Sequence, residues 1–410
     1  MTIISLGEFN KNMIYILIAA ISKLVVELIL HLLPDKAKLD NHPFILGLNA
    51  GLGMSLAIIP HLYIYIYSNI TEKDKSKIQE KLIDRSELNK NATALTTNKY
   101  IDQLFKNSNP IIKRNKYLTL FFCALLDYIQ KILIFLFSYN ITINFWIFDI
   151  VFINLFTSLI TNNQIYTHQY FSIVIMIIFG IILNVVNLYK IKSEDIPMLI
   201  ISILIEIIYS LGIVLAKHGM DDLFCSPFEV TFYEGIFALI LNIIFLLIST
   251  HIPISFEKVR YFSKIFKISE YKGKNYLDNF YEYYNEFGFV EVLIFIVAMF
   301  GRASFNLFSH ITIKYFTSSH VVLILILGEM FLSFNGKNTT EVIITVIVFI
   351  VEIFMIIIFC EIIELNFCGF EINTRKNIKE RAGTMIFDED DTESNYAGDN
   401  GDMIELTDEY

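Results

Sequence analysis

Val342-Ile-Ile-Thr-Val-Ile-Val-Phe-Ile350 carries one hydroxyl and no charge, and its apolar residues follow neither strict alternation nor a one-sided stripe. Ile173-Val-Ile-Met-Ile-Ile-Phe-Gly-Ile-Ile182 reads the same way. A membrane-barrel strand alternates apolar and polar residues over about 10 positions. A surface helix of a soluble protein shows a polar face at helical period. A run that is apolar on every side fits neither. Hydrocarbon offers a bare amide no water, so a spanning segment outside a barrel is a helix. It needs about 20 residues to cross a ~30 Å core.

Ten such runs lie near 13–33, 44–67, 117–137, 143–160, 170–189, 197–216, 229–250, 289–311, 318–334 and 340–363. Composition agrees: 55% of the 410 residues are hydrophobic and 18% charged, with a mean hydropathy of +0.55. The expected fold is an all-α integral membrane protein whose ten transmembrane helices form two inverted five-helix repeats, residues 1–190 and 191–365. Each half reads as two longer spans, a loop, a tight hairpin of two spans and a closing helix. The hairpins turn at Ser138–Thr142 and Lys314–Ser318. Because five is odd, a second copy enters the membrane from the opposite side, as in many secondary transporters. Lys11 precedes the first run as in a signal peptide. Lys23, Glu27 and His31 interrupt that run, however, and no small-residue cleavage site precedes Pro34, so a retained helix is expected.

The net charge of −10 is uneven. Residues 366–410 hold twelve acids and four bases, a net of −8, and read as a solvated, disordered cytosolic tail. The 68–116 loop holds eleven bases against six acids, and Lys113-Arg114-Asn115-Lys116 abuts the third span. Basic residues near span ends favour the cytosol, so this loop and both termini are placed there. The 254–288 loop then falls on the lumenal side, where its basic residues and Tyr276–Tyr284 suggest an amphipathic surface helix. Asn140-Ile-Thr and Asn338-Thr-Thr would be lumenal sequons; Asn69-Ile-Thr and Asn91-Ala-Thr would be cytosolic. Cys123, Cys225, Cys360 and Cys368 have no disulfide or metal spacing. Tyr63, Tyr65 and Tyr67 fit an interfacial aromatic belt.

An ionised side chain at mid-bilayer costs about 2.5–3.5 kcal/mol on insertion scales, so it is normally turned toward a partner or water. Lys23 and Glu27 stand four residues apart, as do Asp127 and Lys131, the spacing of a self-neutralising pair. Asp149, Glu206, Glu234, Arg302, Glu329 and Glu352 are single charges in six further spans. Charges donated by many helices predict a polar central cavity. Arg302 stays protonated and its fork suits carboxylate or phosphate. Asn306 and small residues leave space beside it, making it an anion contact or a gate; the alternative is a permanent salt bridge to Asp149 or Glu234. Gly47, Gly51 and Gly53 permit close helix packing, internal or in a homodimer. His31, His61, His310 and His320 read as interfacial packing, since no HExxH and no nucleophile elbow is present.

Further residues resemble a known family. Lys116-Tyr-Leu followed by Ala124-Leu-Leu-Asp127, Tyr139, Asp149 and Ser158 resembles the third and fourth helices of the drug/metabolite transporter superfamily. The nearest branch is its nucleotide-sugar-transporter-like members, solute carrier family 35 subfamily F in particular. Lys217-His-Gly-Met, the run from Ser226 to Gly235, and Phe305-Asn306 with Thr312–His320 are similar to the sixth-to-seventh and eighth-to-ninth connections. The likeness covers about 117–365 and, more loosely, 1–67. It implies ten helices, cytosolic termini, alternating access around a central site, and an endomembrane location. The pattern around Glu329 and the lysine at 131 depart from authentic nucleotide-sugar carriers.

The expected function is secondary transport of a polar, anionic organic solute, nucleotide-sugar-like or a related metabolite. Lys23, Lys131 and Arg302 are the candidate anion contacts. Glu27, Asp127, Asp149, Glu206, Glu234, Asn306 and Glu329 complete the pathway by balancing charge, gating or relaying protons. Neither catalysis, cofactor, metal nor nucleic acid is expected, and the partners are the solute and the lipid bilayer. The competing reading is a membrane-embedded lipid-modifying enzyme built on His310, His320 and Glu329.

Overall fold

A computed structural model describes residues 4–6, 12–32, 42–63, 110–136, 146–160, 166–188, 196–223, 225–254, 269–286, 288–329 and 339–365. Most of the 68–116 loop, the 138–142 turn, the asparagines of all four sequons, Tyr65, Tyr67 and the 366–410 tail lie outside the described residues.

A helix occupies each of the ten apolar runs. They are α1 (Met13–Leu32), α2 (Pro43–Ser55, continuing past a turn to Tyr63), α3 (Pro110–Leu136), α4 (Trp146–Ile160) and α5 (Thr167–Leu188). The second group is α6 (Ile196–Asp221), α7 (Pro227–His251), α9 (Phe289–Tyr315), α10 (His320–Glu329) and α11 (Thr339–Phe359). The short α8 (Phe280–Glu286) lies between α7 and α9. Among the described residues, six of these helices are long and apolar enough to cross a membrane: α2, α3, α6, α7, α9 and α11.

Their packing is inverted relative to a soluble bundle. On α7, Ile240, Ile243, Ile244, Leu247 and Ile248 form an exposed apolar face at helical spacing, whereas Glu234, Asn242 and Ser249 are buried. Ile343, Val346, Ile347, Ile350 and Phe354 do the same on α11, opposite the wholly buried Thr345 and Glu352. Outward apolar faces over polar interiors suit lipid as the solvent. α10 is different: Val321–Ile326 are all buried, so its all-round apolar sequence is a core helix.

The helices pair in a definite pattern: α2 on α7, α5 on α11, α1 on α9, α3 on α6, α4 on α6, α1 on α10, α3 on α7, α2 on α9, α7 on α9 and α2 on α3. α2 and α7 cross with their backbones in close approach. A Cβ on Gly51 would stand 2.8 Å from the Leu239 amide nitrogen, and one on Gly235 would run into the backbone at Met54 and Ser55. Glycine is what the approach requires. The strand β1 (Ile4–Leu6) pairs antiparallel with β4 (Ile363–Leu365), Ile4 opposite Leu365, and so joins the segment before α1 to the one after α11.

The region after α7 departs from the expected surface helix. Over its described part, Ser269–Tyr271 (β2) and Lys274–Tyr276 (β3) form an antiparallel hairpin. Lys272 (φ 51°) and Gly273 (φ 72°) supply the two left-handed residues that a two-residue hairpin turn demands. A helix begins only at α8, where Asn279 Oδ1 accepts from the Tyr281 and Glu282 amides. The preceding Asp278, fully buried, caps α2 from a distance. It accepts from the Phe44 amide at 2.7 Å and the Ile45 amide at 3.3 Å, and lies 2.8 Å from His42 Nδ1.

Candidate functional site

The i,i+4 spacing on α3 delivers the ion pair the sequence predicts. Lys131 Nζ lies 2.7 and 2.8 Å from the two Asp127 oxygens. The same ammonium donates to Asn306 Oδ1 on α9 at 3.1 Å and to Met54 Sδ on α2 at 3.2 Å, so three helices meet on one cation. Asn306 is fixed in turn by donating from Nδ2 to the Arg302 carbonyl at 2.8 Å.

α7 adds a second ionisable pair. Its start is set by Pro227 at the first turn and by a Ser226–Glu229 capping box, with the Glu229 amide donating to Ser226 Oγ at 3.0 Å. This fixes the register that places Thr231 and Glu234, three residues apart, on the inner face. Glu234 Oε1 lies 3.4 Å from His310 Nε2 of α9, and His310 Nδ1 lies 2.8 Å from Thr231 Oγ1. The Thr231 hydroxyl donates to the Pro227 carbonyl at 2.8 Å. With that proton committed, Thr231 accepts from His310 Nδ1–H.

Both pairs border one cavity of about 40 Å³, lined by Cys123, Asp127, Tyr209, Gly212, Glu234, Phe305, Asn306, Ser309 and His310, among others. A buried water needs ~10–15 Å³ of such space, so the cavity is large enough for about three. A smaller recess of about 10 Å³ adjoins Lys131 between α2, α3 and α7, beside Gly47, Tyr128 and Asn242.

Of the residues expected in the pathway, Asp127, Lys131, Glu234 and Asn306 are thus brought together. Arg302 is one turn away and buried; its Nη1 donates to the Leu46 carbonyl at 2.8 Å, and it does not line the cavity. Asp149 of α4 is buried and accepts from Ser210 Oγ of α6 at 3.2 Å, away from the lining. Lys23 and Glu206 are half-buried on α1 and α6 and border neither space. The side chains of Glu27 and Glu329 lie outside the described residues.

His310, read from the sequence as interfacial packing, is central instead. The signal was available: Arg302, Asn306 and His310 follow one another at four-residue spacing down one face of α9. Among the described residues no cluster has the makings of a metal site.

Polar contacts close the bundle on both sides of the cavity. On the side where α1 begins, Asp221 joins Lys217 at 2.9 Å and Lys314 at 3.8 Å, and Lys116 pairs with Glu229 at 2.8 Å. On the other side stands the Asp278–His42 cap of α2. Cys225, buried in the connection between α6 and α7, has its thiol pushed up to about 12, chiefly by burial. Burial likewise raises the Tyr283 phenol beside His42.

Comparison with protein-family models and with curated proteins gives no match.

Proposed function

We propose that the chain is a ten-span secondary transporter, built as two inverted five-helix repeats, which carries a polar organic solute by alternating access. The carrying observation is the cavity where Asp127 and Lys131 of one half meet Glu234, Asn306 and His310 of the other. Buried ionisable groups in a membrane protein generally mark a pathway, and a site at the seam of two repeats is where carriers bind.

The pairing pattern supports the duplication. Exchanging α1 with α6, α2 with α7, α3 with α9, α4 with α10 and α5 with α11 turns the pairing of α1 on α9 into that of α6 on α3. It likewise turns α4 on α6 into α10 on α1, α3 on α7 into α9 on α2, and α7 on α9 into α2 on α3. The α2–α7 and α5–α11 pairings map onto themselves. The strand pair β1–β4 joins the segment before α1 to the one after α11, which supports an even number of crossings between them. The family resemblance adds an endomembrane location to this reading.

The test is access from each side. In a background lacking the native cysteines, Ser309→Cys would be exposed in oriented vesicles to an impermeant thiol reagent, from outside or trapped inside. A carrier shows labelling from both faces, with one suppressed when the other is locked open. A cysteine reached from one face only, under every condition, overturns the reading.

A further inference from the structure

Several side-chain donors in and beside the cavity are spent within the protein. The Lys131 ammonium has three N–H groups, and Asp127, Asn306 Oδ1 and Met54 Sδ take them. The Ser309 hydroxyl donates to the Phe305 carbonyl at 2.7 Å, and Thr231 to Pro227. One Asn306 N–H goes to the Arg302 carbonyl. His310 turns one nitrogen to Thr231 and the other to Glu234 Oε1. What is left unmatched beside the space is acceptor, above all Oε2 of Glu234, a residue that lines the cavity. Glu234 is 4% exposed, and its Oε2 has no hydrogen-bond donor among the described residues. A buried acceptor left unmatched costs about 1–3 kcal/mol, more if charged.

We propose that this cavity binds a compact protonated amine, whose N–H groups satisfy Glu234 Oε2 and the neighbouring acceptors. This deepens the carrier reading and rests on it for physiological use. An anion would bring further acceptors into a space that has few donors to offer, whereas an ammonium group supplies charge and N–H donors together. The cavity volume fits a head group of two or three heavy atoms in place of the waters it can hold. Asn306, Ser309 and His310 then set orientation, Asp127 stays paired with Lys131, and Glu234 meets the ligand through Oε2, the oxygen that His310 does not take.

The experiment is a thermal-shift comparison on the purified full chain in methylammonium, tetramethylammonium and sodium chlorides, and in sodium acetate, at matched pH and ionic strength. Methylammonium alone should raise Tm, by roughly 2 °C or more near saturation. Glu234→Gln should abolish the rise, and Asn154→Ala, remote from the cavity, should keep it. Equal shifts with tetramethylammonium, which has no N–H, overturn the proposal. So does a shift with acetate in place of methylammonium, or one that survives Glu234→Gln. Should Glu234→Gln fail to fold, the four-salt comparison on wild type decides alone. The measurement needs no transport, so it can fail while the Ser309→Cys accessibility test succeeds, and the reverse.

Discussion

Lys131 Nζ donates to Asn306 Oδ1 at 3.1 Å, tying α3 to α9. Each of these helices turns a short polar series inward: Asp127 with Lys131 on one, Arg302, Asn306 and His310 on the other. Any movement that separates α3 from α9 must first break this contact.

Removing one member of this cluster leaves the other exposed to an apolar surround. Lys131→Met should destabilise the protein by about 3 kcal/mol, because Asp127 is then buried without its partner. The double variant Asp127→Asn/Lys131→Met should recover most of that loss. Denaturation midpoints of the two single variants and the double variant, read as a cycle, measure the coupling.

Glycine at the α2–α7 crossing is a steric requirement. Gly51→Ala and Gly235→Ala each drive a methyl group into backbone, which cannot rotate away, and each should cost about 1–3 kcal/mol. Gly212→Ala is the control: its new Cβ would sit 3.6 Å from Leu126 Cβ, an ordinary contact. A change within about 0.5 kcal/mol is expected there. Thermal melts of the three variants in one detergent decide.

Glu352 is wholly buried on α11, and neither carboxylate oxygen has a hydrogen-bond donor among the described residues. Burying an unmatched polar group is costly. Glu352→Leu should therefore raise stability, by about 1 kcal/mol or more. A lower melting temperature for Glu352→Leu would show that the carboxyl is satisfied by something structural.

Cys225 makes a prediction about pH. With its thiol raised from the ordinary 9.0 to about 12, mainly by burial, it is neutral at physiological pH and should resist maleimide in the folded state. The folded protein holds this proton more tightly than the unfolded chain does. The associated stability is thus complete below about pH 9 and lost as pH climbs toward 12. Cys225→Ser should flatten that alkaline decline, measured as unfolding midpoint against pH.

Much of this architecture was legible in the sequence, because helical length and all-round apolarity respond directly to the solvent a segment must meet. The ten runs are ten helices, and the α3 pair follows from spacing alone. What was hidden has physical causes. An all-round apolar run looks the same whether lipid or protein surrounds it, so Val321–Ile326 as core and the outward stripes of α7 and α11 as lipid-facing could not be told apart. Arg302 could be recognised as costly, but its bond to the Leu46 carbonyl could not be foreseen, since every residue carries a carbonyl. His310 and Thr231 acquire meaning only once α7 and α9 are side by side. Asp278 reaches α2 from more than two hundred residues away, which no local pattern announces. The hairpin at Lys272-Gly273 lies among basic residues and tyrosines that suit a surface helix equally well, and only the left-handed backbone of its two turn residues sets it apart.

The pairing of Ile4–Leu6 with Ile363–Leu365 carries a consequence for biogenesis. Ile4–Leu6 can find these hydrogen-bonding mates only after α11 has been synthesised and inserted. Until then β1 is an unpaired edge, and this small clasp closes only once the segments flanking α1 and α11 are both made.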